Sequence, residues 1–107
     1  MKAETLILAA LLCGSAHAQF KTGNKLLQQM DGEFGDQMNA IGYVSGVADT
    51  LQGAVVCAPA TVTAGQLMDM TRLYLERTPA RRHLAADVLI HDMLKAMWPC
   101  AKRGTGA

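Results

Sequence analysis

The sequence has 107 residues, with ten Lys or Arg against nine Asp or Glu and a formal net charge of +1. This balance does not provide the excess of positive charge that nucleic-acid-binding domains carry. No apolar run reaches the roughly 20 residues of a membrane-spanning helix. Composition and charge therefore exclude a nucleic-acid-binding protein and a membrane-spanning one. The length fits one domain.

The first segment of the chain has the pattern of a signal peptide. Lys2 provides a positive start, residues 6–12 a short apolar core, and residues 16–18, Ala-His-Ala, a cleavage site. Cleavage after Ala18 divides the chain into a signal peptide, residues 1–18, and an exported domain, residues 19–107.

The exported domain is predicted to begin with a short helix and a long central one. Asn24 suits the N-cap of a helix over residues 25–30. Residues 31–35 contain two glycines and two acids and predict a mobile loop, and Asp36 is predicted to cap a central helix over residues 36–57.

The central helix carries apolar residues on one side and small residues on the other. At about 100° per residue, the apolar face consists of Ile41, Val44, Val47, Ala48, Leu51 and Val55. The nearly opposite face consists of Gly42, Ser45, Gly46, Asp49 and Gly53. Helical glycines cost about 1 kcal/mol each relative to alanine, so we expect another backbone to pack on the small-residue side. Asp49 either forms hydrogen bonds within the core or points outward, and a core capping role is favoured over a catalytic one.

Two further helices follow. Thr63 and Gln66 form a capping box at the start of the third, and the pair Thr78 and Pro79 ends it and opens the last helix, which is predicted to run to Trp98. The predicted inner face of the last helix comprises Ala86, Leu89, Ile90, Met93, Leu94 and Met97. No strand alternation is present, so the fold class is all-α, a small bundle of about four helices.

The cysteines predict one disulfide. After cleavage, Cys57 and Cys100 remain, and an even pair in an exported chain oxidises by default. The alternatives are a reactive thiol at Cys57 and lipid attachment at Cys13, which the bulky Leu12 before it disfavours. Closing this loop contributes about 4 kcal/mol in the chain-entropy description.

Candidate chemistry is sparse. One edge of the last helix is predicted to carry a row of side chains spaced four residues apart: His83, Asp87, His91 and Lys95. This row either binds zinc or forms a solvated polar edge. We favour the polar edge, because no fourth ligand is evident and Lys95 would repel a cation. No nucleophile elbow or phosphate loop is present, so neither catalytic residues nor a metal or other cofactor are predicted, and the domain is expected to act by binding.

A set of short motifs resembles the Rap/Tai immunity proteins in content and order. They cover residues 20–27, 42–49, 57–59, 62–67, 74–76, 78–79 and 98–100. The resemblance implies a periplasmic helical protein that binds and blocks a peptidoglycan amidase effector of type VI secretion, as a stoichiometric inhibitor. A homodimer is a further assembly to test.

The resemblance does not identify the binding surface. The candidate segments are the loop at residues 31–35, the connection at residues 58–63 and the turn at residues 81–83. The predicted partner-binding residues are Asp31, Glu33, Thr61, Arg81, Arg82 and His83. Members similar to this chain carry a second cysteine pair where this sequence has Met30 and Ala40, so we expect the loop at residues 31–35 to be untethered. The alternative functions are a small periplasmic acid-stress chaperone triggered by histidines and acids, or another helical binding protein.

Overall fold

Residues 20–101 are described by a computed structural model of the chain, and within them the chain forms four α-helices. They are α1 (Gly23–Met30), α2 (Phe34–Leu51), α3 (Ala64–Arg77) and α4 (Ala86–Met97), with a 3-10 turn at Pro79–Arg81 between the last two. The all-α bundle predicted from the sequence is confirmed. The predicted signal peptide and its cleavage site lie outside the described residues. None of the described helices is long and apolar enough to cross a membrane.

Helix α1 begins earlier than predicted. Thr22, not Asn24, is its N-cap, and the Thr22 hydroxyl accepts a hydrogen bond from the Lys25 amide at 3.2 Å. The preceding chain is extended because it pairs with the segment before α4. The Gly23 amide donates to the Leu84 carbonyl at 3.0 Å, and this tertiary pairing sets where the helix starts.

Helix α2 is shifted toward the N-terminus relative to its predicted bounds. Glu33 is the N-cap, and Asp36 lies in the first turn, where its carboxylate accepts from the Glu33 amide at 3.3 Å. The helix ends at Leu51 because Gly53 adopts a φ of 86°, a left-handed conformation that glycine tolerates. Cys57 therefore lies in the connection, beyond a tight turn.

Helix α3 matches its prediction at both ends. The Thr63 hydroxyl accepts from the Gln66 amide at 3.1 Å, and the Gln66 side chain accepts from the Thr63 amide at 2.8 Å. This reciprocal pair satisfies two donors that a helix start leaves free. Thr71 and Leu75 are buried against the other helices.

The last helix starts later than predicted. Pro79 opens only a 3-10 turn, and the chain is non-helical from there to Ala85, which forms an antiparallel bridge with Thr22. The Ala86 amide donates to the Lys21 carbonyl at 2.8 Å, so pairing with the chain before α1 replaces the first helical turns.

The core lies where the four helices meet. Its buried apolar side chains are Leu26, Met30, Ala40, Val44, Val56, Leu75, Ala86, Leu89, Ile90, Met93 and Leu94. The predicted inner face of the last helix is confirmed except for Met97, whose side chain is exposed. Met30 and Ala40, at the positions of the second cysteine pair in similar family members, are both fully buried.

The predicted disulfide joins Cys57 to Cys100, with the two Cα atoms 4.8 Å apart. It ties the connection after α2 to the chain just past α4. The Cys57 amide donates to the Trp98 carbonyl at 2.8 Å, and the Gln52 side chain exchanges two hydrogen bonds with the Ala58 backbone. This end of the bundle is therefore held by covalent and backbone contacts together.

Candidate functional site

A concave, mainly apolar groove lies between α2 and α4. Its volume is about 880 Å³. We call it the α2/α4 groove and define it by its lining residues, Gly42, Tyr43, Gly46, Val47, Thr50, Leu51, Asp87, Val88, His91 and Asp92. Concave, mainly apolar surfaces with a few polar groups are the usual places for ligands and partner segments.

The glycine side of α2 is open. A Cβ atom built at Gly42 or Gly46 would meet no neighbouring atom within 4 Å. The expectation that another backbone packs there is wrong for the described residues, because the neighbouring helices bury the opposite side through Ala40 and Val44. Asp49 is likewise exposed and not a core cap.

Charges at the groove are unevenly compensated. Asp92 binds Arg81 at 2.9 Å and His91 at 3.0 Å, whereas Asp87 lies in the first turn of α4 and forms no ion pair within residues 20–101. Among residues 20–101, the adjacent Val88 amide is the one donor to the Asp87 carboxylate, at 2.9 Å. One carboxylate therefore remains available at the groove.

Tyr43 forms the aromatic wall of the groove. The Lys21 ammonium lies 4.5 Å from the centre of its ring and donates to the Asn39 side chain at 2.6 Å. Burial raises the pKa of Tyr43, and the negative charge of Asp87 raises it further. Burial followed by the charge of Lys25 lowers the pKa of Lys21. The phenol thus stays neutral and able to donate a hydrogen bond.

A polar row connects the turn before α4 to the groove. Arg81 donates to the Tyr74 hydroxyl at 3.1 Å and to Asp92 at 2.9 Å. The hydrogen bond from Arg81, followed by that from His91, holds the pKa of Asp92 below its usual range. Arg81, one of the predicted partner-binding residues, therefore borders the α2/α4 groove.

The turn between α1 and α2 is tethered, contrary to expectation. Arg72 of α3 forms an ion pair with Asp31 and donates to the Met30 carbonyl at 2.9 Å. Glu33, the N-cap of α2, is exposed. The turn is thus fixed by a contact between residues 41 apart in sequence, which no local pattern reveals.

The other predicted partner-binding residues are distributed along the bundle. Thr61 lines a hollow beside Trp98, past the end of α4, whereas Arg82 and His83 precede the start of that helix. Arg82 donates to the Leu75 carbonyl at 3.3 Å, and His83 is exposed. The structure therefore does not gather the six predicted residues into one patch.

The proposed histidine row does not form. His83 lies before α4, so only Asp87, His91 and Lys95 share the helix. Within residues 20–101, no group of three or more His, Cys, Asp or Glu side chains is placed to hold a metal ion.

A family model supplies the identification. The model of the Rap1a immunity proteins matches residues 22–100, which include all four helices and both bonded cysteines. The chain belongs to the Rap1a immunity protein family. No curated protein matches the chain significantly.

Membership of the Rap1a family confirms the resemblance seen in the short motifs and implies a cognate effector as partner. Immunity proteins of this kind generally act by binding rather than by catalysis. The small-residue pattern of α2 predicted that its two glycines lie in the core, whereas the structure places them in the groove. No sequence pattern assigned Tyr43, Val88 or Asp92 to a binding surface. For Val88 a signal existed, because it is apolar and yet lies off the predicted inner face of α4.

Proposed function

We propose that this chain is a periplasmic immunity protein that binds and blocks a peptidoglycan amidase effector of type VI secretion. The observation that carries the proposal is the match to the Rap1a family over residues 22–100. The predicted signal peptide and the Cys57–Cys100 disulfide are consistent with an oxidising, exported location.

The proposed mechanism is occlusion. A folded, disulfide-tied domain binds the effector as a stoichiometric inhibitor, and a loop or helix end of the domain enters the catalytic cleft. The predicted contact residues remain Asp31, Glu33, Thr61, Arg81, Arg82 and His83. Three of them are the best probes, since Glu33, Thr61 and His83 are exposed and their changes disturb no ion pair within the described residues.

The function is tested by protection. The peptidoglycan amidase encoded beside the gene for this chain is directed to the periplasm, and survivors are counted with and without the chain. We expect rescue by the full chain and none by a variant that lacks residues 1–18, because export is required. A full chain that neither rescues cells nor forms a complex in size-exclusion chromatography contradicts the proposal.

The surface is tested separately, by calorimetry with the same purified amidase. Glu33→Gln, which keeps a side-chain oxygen at the N-cap of α2, Thr61→Arg and His83→Asp should each leave the helical circular dichroism unchanged. At least one of them should weaken binding tenfold, about 1.4 kcal/mol. If all three bind like the wild type, these segments lie outside the interface.

A further inference from the structure

The isolated domain does not account for the two glycines of the α2/α4 groove. Gly42 and Gly46 lie inside α2 with ordinary helical backbone, since the only positive φ within residues 20–101 belongs to Gly53. Apart from the adjacent residues and the nearby backbone of α2 itself, no atom lies within 4 Å of a Cβ built at either position. Neither backbone conformation nor packing within the domain requires glycine there, and both positions weaken the helix.

Gly23 shows the contrast. A Cβ at Gly23 would lie 2.6 Å from Leu89 Cδ1 and 3.0 Å from the Arg82 carbonyl oxygen, so the fold itself excludes a larger residue. Glycine is used where another group approaches the backbone closely. At Gly42 and Gly46 no group of the described domain makes such an approach.

The walls of the groove indicate which chemistry would fit such an approach. The floor and sides are mostly apolar, formed by Val47, Leu51, Val88 and the ring of Tyr43, and the Val88 side chain is exposed. Asp92 is neutralised by Arg81, whereas Asp87 has no ion-pair partner within the described chain. The groove therefore complements an apolar segment that carries one positive charge.

We propose that the α2/α4 groove is the docking site for a helix of the effector. The backbone of that helix crosses α2 at Gly42 and Gly46, its apolar side chains contact Val88 and Tyr43, and a Lys or Arg of the effector pairs with Asp87. The inference rests on the proposed immunity function. The groove is continuous with Arg81 through Asp92, which joins it to one of the predicted contact residues.

The test uses a steric change in the groove and a matched change outside it. Gly46→Leu fills the floor, and the control Ala96→Leu adds a leucine side chain at an exposed position of α4 that does not line the groove. Affinity for the amidase encoded beside the gene is measured by calorimetry. We expect Gly46→Leu to weaken binding at least tenfold and to abolish protection, and Ala96→Leu to bind like the wild type.

The charge requirement is tested by Asp87→Lys. The substitution should weaken binding by several-fold or more, and the loss should shrink at high salt because ionic strength screens the repulsion. A variant that binds as tightly as the wild type at low salt contradicts the predicted pairing. The premise about the glycines is tested by Gly46→Ala, which should raise the Tm of the isolated domain. A lower Tm would show that the domain itself needs this glycine and would overturn the inference.

Three further outcomes distinguish failure of the inference from failure of the proposed function. If the wild type binds and protects but Gly46→Leu does so equally well, the docking site is elsewhere and the immunity function stands. If the wild type does not bind the amidase, the proposed function itself fails. If the wild type is a dimer that Gly46→Leu converts to a monomer with unchanged affinity for the amidase, a second copy occupies the groove and the inference is wrong.

Discussion

Removal of the disulfide is the sharpest test of how this small domain is stabilised. Cys57 and Cys100 are 43 residues apart, and a cross-link that closes a loop of this length is worth about 4 kcal/mol in the chain-entropy description. The effect acts mainly on the unfolded chain. In the folded chain, the Cys57 amide still donates to Trp98, and Gln52 still binds Ala58, so this end of the bundle should stay ordered without the bridge.

We therefore expect the double variant Cys57→Ser with Cys100→Ser to keep its helical circular dichroism and to lose about 3–4 kcal/mol of unfolding free energy. For a domain of this size, that loss lowers the Tm by roughly 12–30 °C. Urea and thermal unfolding of the exported domain, followed at 222 nm, measure both quantities. The wild type in a reducing agent should match the double variant, and the double variant should not respond to the reducing agent.

Two results would refute this reasoning. A loss below about 1 kcal/mol would mean that restriction of the unfolded chain contributes little here. Complete loss of helical signal at 25 °C, or Tm values that differ between the reduced wild type and the double variant, would mean that the bridge organises the folded state itself.

Other predictions concern single residues. Gly23→Ala should cost about 1–3 kcal/mol in urea unfolding because its Cβ would lie 2.6 Å from Leu89 Cδ1, whereas the exposed control Gly35→Ala should be neutral or stabilising. Thr63→Ala should cost about 1 kcal/mol by the same assay, since the capping box at the start of α3 is lost; an unchanged midpoint would contradict it. Asp92→Asn tests pH dependence. The pKa of Asp92 is lowered in the folded protein, so its contribution to stability is present above the ordinary carboxyl pKa and disappears as the pH falls through the lowered value. The Tm gap between wild type and variant should therefore narrow on acidification below pH ~4, and a gap that widens would refute the assignment.

Several features of this protein are encoded locally and could be predicted from the sequence. The start of α3 depends on Thr63 and Gln66, which exchange hydrogen bonds across three residues whatever surrounds them. The inner face of α4 follows from helical spacing, because a helix places such residues on one side. The disulfide followed from the two cysteines that remain after the predicted cleavage of an exported chain. The family could also be predicted, because the motifs that resemble it are short and each lies within a few consecutive residues.

Other features depend on contacts between distant segments. The late start of α4 results from pairing of residues 82–86 with residues 21–24, and the fixed turn after α1 results from Arg72 of α3. Neither pairing leaves a periodic signal, because each side is an ordinary loop or surface sequence by itself.

The two sides of α2 show most clearly which features depend on the sequence and which depend on the tertiary structure. The sequence by itself determined that α2 has an apolar face and a small-residue face. Only the tertiary structure decided which face meets the bundle, since a glycine pattern is equally compatible with a close internal contact and with an open surface. Because the other helices pack against Ala40 and Val44, Gly42 and Gly46 remain exposed, and the residues that looked like core become the floor of the groove.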